Sequence, residues 1–412
     1  SASRGILRPP MRLANRIEHL GTERAFAVSQ AAREWAARGN RVYPLHLGDI
    51  NLPTPANIVA AQQRAIAEGK TGYCAPAGIP ELRAALAEDV GARRGLQYQP
   101  ENVAVQPGGK PVITKFIQAL INPGDEVLYP APGFPIYESQ IDYFGAVAKP
   151  YRFVETPRGF AIDLDFLSAQ ITPRTRALIF NNQQNPLAAE ATDAELERLA
   201  ELAIRHDLWV LADEAYFETR YSGESRSIVS LPGMQPRSVI LYTFSKKFAM
   251  TGWRLGAAIA PARVSEIFAQ LNVNDESCTA HFAQWAGVEA VRGDQAGARA
   301  ICAQLRLRRD ALFAAVAETP GLRAAKPESA FYLYVNVADA MNKLGFTDVN
   351  DFAAAALRET GVAFCTRRHF GRLLAGEAEH YARFAYSGIS VDDIRDGMSR
   401  LRAWLDGADG PH

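Results

Sequence analysis

With 412 residues, the chain can bury a large core, and that length points to two or three domains. Lys+Arg and Asp+Glu both number 45, which argues against a partner held mainly by net charge, whether nucleic acid or membrane. Hydrophobic residues at 48% and charged residues at 22% are the proportions of a soluble globular protein.

The first residues carry Arg4, Arg8, Arg12 and Arg16 with no continuous apolar stretch behind them. They predict an arm, mobile or laid over a partner, and not a secretory signal. No uncharged apolar run approaches the length of a bilayer span. Cys74, Cys278, Cys302 and Cys365 form no Cys-x-x-Cys pair, so the expectation is reduced thiols in a cytoplasm, with neither a disulfide framework nor a zinc site. The histidines show no His-x-x-x-His spacing, and no Gly-x-Ser-x-Gly elbow occurs.

From there, apolar runs alternate with helical patterns. Val103 to Val105, Glu126 to Tyr129, Ala177 to Phe180, Leu208 to Ala212, Val239 to Thr243 and Leu255 to Ala260 read as strands covered on both faces. Pro111 to Leu120, Phe134 to Phe144, Asp193 to His206 and Arg263 to Leu271 read as helices between them. Thr192-Asp193-Ala194-Glu195 resembles a capping box. Such alternation predicts an α/β fold with a largely parallel sheet layered by helices. Beyond about residue 285 the composition shifts to an Ala/Arg/Leu-rich helical stretch, Trp285 to Ala317, broken near Gly293, followed by a strand candidate, Phe331 to Val337. The predicted division is an arm and part of a small domain at 1–50, a large domain at 51–290 and a small C-terminal α+β domain at 291–412.

Four segments carry the chemistry. Ser245-Lys246-Lys247-Phe248-Ala249-Met250-Thr251-Gly252-Trp253-Arg254 follows a strand. A lysine amine can form a Schiff base with an aldehyde cofactor, and hydroxyls with an arginine can hold a phosphate. Taken alone, the lysine pair would be a solvated surface. Leu211-Ala212-Asp213-Glu214-Ala215-Tyr216 closes another strand, where an isolated aspartate would be a helix cap. Asn181-Asn182-Gln183-Gln184-Asn185-Pro186 closes a third, where the plain reading is a polar turn before proline. Pro107-Gly108-Gly109-Lys110 joins a strand to a helix, a place where free amides cradle phosphate. It is not a Walker loop, because Pro111 stands where serine or threonine should be.

Together these segments resemble, in order, the motifs of the class I/II aminotransferases of fold type I, most nearly the aspartate/aromatic branch. The resemblance runs from about Leu45 to Leu401. It implies pyridoxal 5'-phosphate as cofactor and a homodimer, with a mostly parallel mixed sheet in the large domain. It implies Lys246 as the Schiff-base lysine, selected over Lys247 by the positions of Thr243 and Arg254. Asp213 would face the pyridine nitrogen, while Tyr216 and Asn185 would hydrogen-bond the phenolic oxygen. Phe134, in Pro132-Gly133-Phe134-Pro135-Ile136-Tyr137, would stack on the ring. Gly109, Lys110, Thr243, Ser245 and Arg254 would hold the phosphate, and Tyr73 would reach the phosphate of the neighbouring subunit. On the substrate side, Arg383 would grip the α-carboxylate by its planar fork, and Gly48, Phe134 and Asn185 would line the pocket.

The chain departs from the family at two places. Leu187-Ala188 replaces Thr-Gly after Asn185-Pro186, although only glycine takes positive φ without cost. Ile50-Asn51 replaces Pro-Asp after Gly48-Asp49. The expected reaction is amino-group exchange between an L-amino acid and a 2-oxo acid. Lys110 matches a lysine that meets the distal carboxylate in an aspartate-using branch of the family, so the resemblance implies a dicarboxylic amino acid, with glutamate and 2-oxoglutarate as one exchange pair. Asp275-Glu276, just before a helix, would either welcome a cationic substrate or stabilise the helix start. Carbon–sulfur lyases, cyclising synthases and amino-acid oxidases share the scaffold and form the alternative. A DNA-binding regulator on the same domain would need a basic helix-turn-helix module that the first residues do not show.

Overall fold

The computed structural model describes residues 11–21, 23 and 25–407, so Arg4 and Arg8 of the expected arm lie outside the described residues. Seven strands form the main sheet: β1 (Val103–Gln106), β2 (Glu126–Pro130), β3 (Val147–Tyr151), β4 (Thr175–Asn181), β5 (Trp209–Asp213), β6 (Ser238–Thr243) and β7 (Gly256–Ile259). Their spatial order is β1-β7-β6-β5-β4-β2-β3. β7 runs antiparallel to both of its neighbours, and every other pairing is parallel. The strands β1, β2, β4, β5 and β6 are buried almost throughout, because helices cover both faces. β3 escapes the sequence reading. Its burial is mixed and it contains Pro150, as an edge strand tolerates.

Two apolar layers sandwich this sheet. One gathers Leu82, Leu86, Val90, Leu199 and Phe244, the other Val112, Phe116, Ile141 and Phe268. The predicted capping box forms: Thr192 Oγ1 accepts from the Glu195 amide at 3.3 Å, and Glu195 Oε2 accepts from the Thr192 amide at 2.6 Å. It starts the Asp193–Arg205 helix, which buries Leu196, Leu199 and Leu202.

A third core collects Tyr43, Leu45 and Ile50 with Leu305, Leu312, Phe331, Phe352, Phe384 and Leu401. Its frame is an antiparallel sheet of β8 (Tyr332–Asn336), β9 (Cys365–Thr366) and β10 (Tyr381–Ala385), in the order β8-β10-β9. The Ala/Arg/Leu-rich stretch divides into helices His281–Arg292 and Ala296–Ala317, with Gly293 ending the first. Among the described residues, no helix is long and apolar enough to cross a membrane.

Candidate active site

β1, β2, β4, β5 and β6 all release their carboxyl ends on one side of the sheet, the usual ligand side of open α/β sheets. A cavity of about 600 Å³ opens there, against β8 and β10 of the smaller sheet. Every residue given a cofactor or substrate role by the resemblance lines it except Tyr73, which is 88% exposed elsewhere on the chain.

Lys246 lies just past β6. Its Nζ donates to the Gly48 carbonyl at 3.0 Å. Burial pulls its pKa down to about 8, aided by Arg383 and Arg254 and opposed by Asp49. Lys247 faces away, with its Nζ 2.7 Å from Glu218 Oε1.

Asp213 ends β5. Its carboxylate accepts from the Tyr137 hydroxyl and from the Ala215 amide. Burial pushes its pKa up to about 6, against the lowering effect of the Tyr137 hydrogen bond. A buried carboxylate of this kind favours a cationic ring nitrogen beside it.

Arg383, on β10, is 5% exposed. Nη1 donates to Asn185 Oδ1 at 2.9 Å and Nη2 to the His46 carbonyl at 2.8 Å. The guanidinium packs on the rings of Tyr332 and Phe370, at 4.6 and 4.7 Å from their centres. Its Nε is buried without a partner. An unsatisfied buried charged donor is costly, and a carboxylate arriving from the cavity would relieve it.

The segment read as a phosphate cradle lies where β1 turns into the Lys110–Leu120 helix, with Gly109 as its N-cap. The first amides of a helix lack intrahelical acceptors and carry the positive end of its dipole. Gly108 has φ +110°, and a Cβ there would lie 2.4 Å from Arg254 Nη2. Glycine is thus what lets the arginine approach. Arg254 itself is left-handed, and its Nη1 donates to the Thr251 carbonyl at 2.7 Å. Phe134 meets Tyr137 edge-on at 5.7 Å on the cavity wall. A cationic cradle, an aromatic wall, a half-buried amine and a buried carboxylate match the four ends of pyridoxal phosphate.

The family profile described as "Aminotransferase class I and II" matches residues 41–401. This chain belongs to that family.

The chain is therefore a transaminase-type enzyme, and its cofactor is pyridoxal phosphate. Among its relatives is an aspartate/prephenate aminotransferase of Cereibacter sphaeroides, 33% identical over 96% of this chain and 99% of that one. An aspartate/prephenate aminotransferase of Thermus thermophilus is 34% identical over 94% and 97%. The solved structure of Thermus thermophilus aspartate aminotransferase with maleate superposes with a TM-score of 0.86 at 32% identity, covering 96% of this chain and all of that one. Alanine aminotransferase from Pyrococcus furiosus gives 0.88 at 26% identity, with the same coverage.

On the cavity wall the Tyr216 hydroxyl shares a hydrogen bond with Tyr332. Other features of this aminotransferase differ from the sequence reading. Asp275 and Glu276 neither begin a helix nor face the cavity. Asp275 follows the Ala262–Asn274 helix, and Glu276 Oε1 lies 2.6 Å from the buried Lys115 ammonium. The loop after Asn185 makes a left-handed turn without glycine, since Ala188 has φ 51°. Tyr137, Tyr332, His46 and Glu23 were missed. Tyr137 had a signal, because it closes the same Pro132 to Tyr137 segment that supplies Phe134 and meets that ring edge-on. The other three had none, since their partners are distant in sequence.

Proposed function

We propose that this aminotransferase exchanges the amino group of a dicarboxylic amino acid, aspartate or glutamate, with a 2-oxo acid such as 2-oxoglutarate, in a ping-pong cycle. The observation that carries the site assignment is the meeting of Lys246, Asp213 and Arg383 on one cavity. Bound pyridoxal phosphate supplies an aldehyde carbon for an amine and a ring that takes up the electron pair left at the substrate α-carbon. Lys246 holds the cofactor between turnovers. Once freed, its amine carries the α-proton. Asp213 keeps the ring nitrogen protonated, and Tyr137 holds that carboxylate in place. Arg383 and Asn185 orient the substrate by its α-carboxylate, and Lys110 receives the distal one. The relatives named for aspartate support this donor.

The assembly we propose is a homodimer in which Tyr73 reaches the neighbouring site. Four free cysteines fit a reducing cytoplasm. The lysine assignment is tested by loading Lys246→Ala and Lys247→Ala with cofactor and recording visible spectra and amino-acid half-reactions. Lys246→Ala is expected to lose the band of the covalently held cofactor and the half-reaction, while Lys247→Ala keeps both. The reverse pattern refutes the assignment.

A further inference from the structure

The Lys110 ammonium is already engaged. It forms an ion pair with Glu23, two residues before the Ala25–Ala37 helix, and lies 5.5 Å from the Phe134 ring. Glu23 and Lys110 both line the cavity that holds Lys246 and Arg383. The Lys110 side chain remains 47% exposed and that of Glu23 20%. Exposed pairs of this kind open at small cost.

From this geometry we infer that Glu23 is a specificity-determining residue, an internal carboxylate that competes with the substrate's distal carboxylate for Lys110. The inference rests on the dicarboxylate reading above. One ammonium neutralises one carboxylate, and a second carboxylate brought beside the first is repelled by it. A dicarboxylic substrate must therefore displace Glu23. An amino acid with an uncharged side chain leaves the pair closed and packs against Phe134 and its neighbours. Glu23 thus narrows the preference for dicarboxylates that Lys110 alone would set, and widens the range of acceptable side chains.

The test is a double-mutant cycle on the cofactor-loaded enzyme, using Glu23→Gln, Lys110→Ala and the pair together. It reads the ratio of kcat/KM for aspartate to that for alanine, and the dissociation constant of maleate by calorimetry. Glu23→Gln is expected to raise the ratio about fivefold, the scale of an exposed pair, through a lower KM for aspartate. Maleate should tighten by the same factor, and the gain should vanish in the Lys110→Ala background. If Lys110→Ala collapses the ratio while Glu23→Gln leaves it and maleate binding unchanged, the role of Glu23 is refuted and the dicarboxylate reading stands. If the Glu23→Gln gain persists without Lys110, competition for that ammonium is refuted. If neither substitution moves the ratio, the dicarboxylate reading falls and the inference falls with it.

Discussion

Lys246 shows how surroundings tune a common side chain. Its amine has a carbonyl for a partner instead of a carboxylate, and two arginines of the same cavity disfavour its proton. The pKa falls from 10.5 to about 8, so the neutral amine becomes available within the working pH range. The sign is fixed by the chemistry, because only the unprotonated amine attacks an aldehyde. Capture of pyridoxal phosphate by cofactor-free protein should accelerate about tenfold per pH unit below 8 and level off above it. Stopped-flow absorbance checks this, and a rate still climbing steeply at pH 10 would show that burial does not set the lysine's pKa. Residue chemistry of this type was legible in part. The family roles of Thr243 and Arg254 pointed to Lys246, and Lys247 turns to Glu218. Tyr137 on Asp213 was not read, because a tyrosine near the start of a helix looks like core until its hydroxyl finds an acid 76 residues away.

At the scale of elements, the loop after Asn185 is the instructive one. The loss of glycine at 188 suggested an altered turn. The fold holds alanine itself in a left-handed conformation there, at φ 51°. Two glutamines brace it. Gln184 Nε2 donates to the Pro132 carbonyl at 2.6 Å, its Oε1 accepts from the Leu187 amide at 3.1 Å, and Gln183 Nε2 reaches Glu190 at 3.1 Å. Leu187 is buried beneath them. A left-handed non-glycine residue costs roughly 1–2 kcal/mol, and glycine gives back roughly 0.4–1 kcal/mol in unfolded-chain entropy. Ala188→Gly should therefore stabilise the protein by about 0.5–1 kcal/mol, read as a higher urea midpoint at unchanged slope. A lower midpoint would mean that alanine sits there without strain. The helix beginning at Lys110 was predicted one residue late, because Pro111 marks a first turn but does not reveal its cap.

For the whole molecule, the sheet order decides what meets what. β5 and β6 are neighbours, which sets Asp213 beside Leu241, and β10 of the other sheet carries Arg383 to the same opening. Tyr73 is the residue the single chain does not use, a large ring 88% exposed beside Gly72. If it completes a neighbouring site, sedimentation should give twice the 45.0 kDa chain mass. Tyr73→Phe should then weaken cofactor binding roughly tenfold, the worth of a hydrogen bond to a charged group. A fully active monomer, or unchanged cofactor affinity in Tyr73→Phe, would leave that residue without a part in the site.

The sequence alone determined the alternation of strands and helices, the strand-end motifs and the family they resemble. Those signals are local: apolar runs, glycine, proline, and polar residues placed just past a strand. It could not determine that Tyr332 holds Tyr216, that the His46 carbonyl holds Arg383, that Glu276 neutralises Lys115, or that Glu23 occupies Lys110. Each joins segments 87 to 337 residues apart. No periodicity or spacing encodes such pairs, and only the packed chain, by burying charges that must then find partners, selects them.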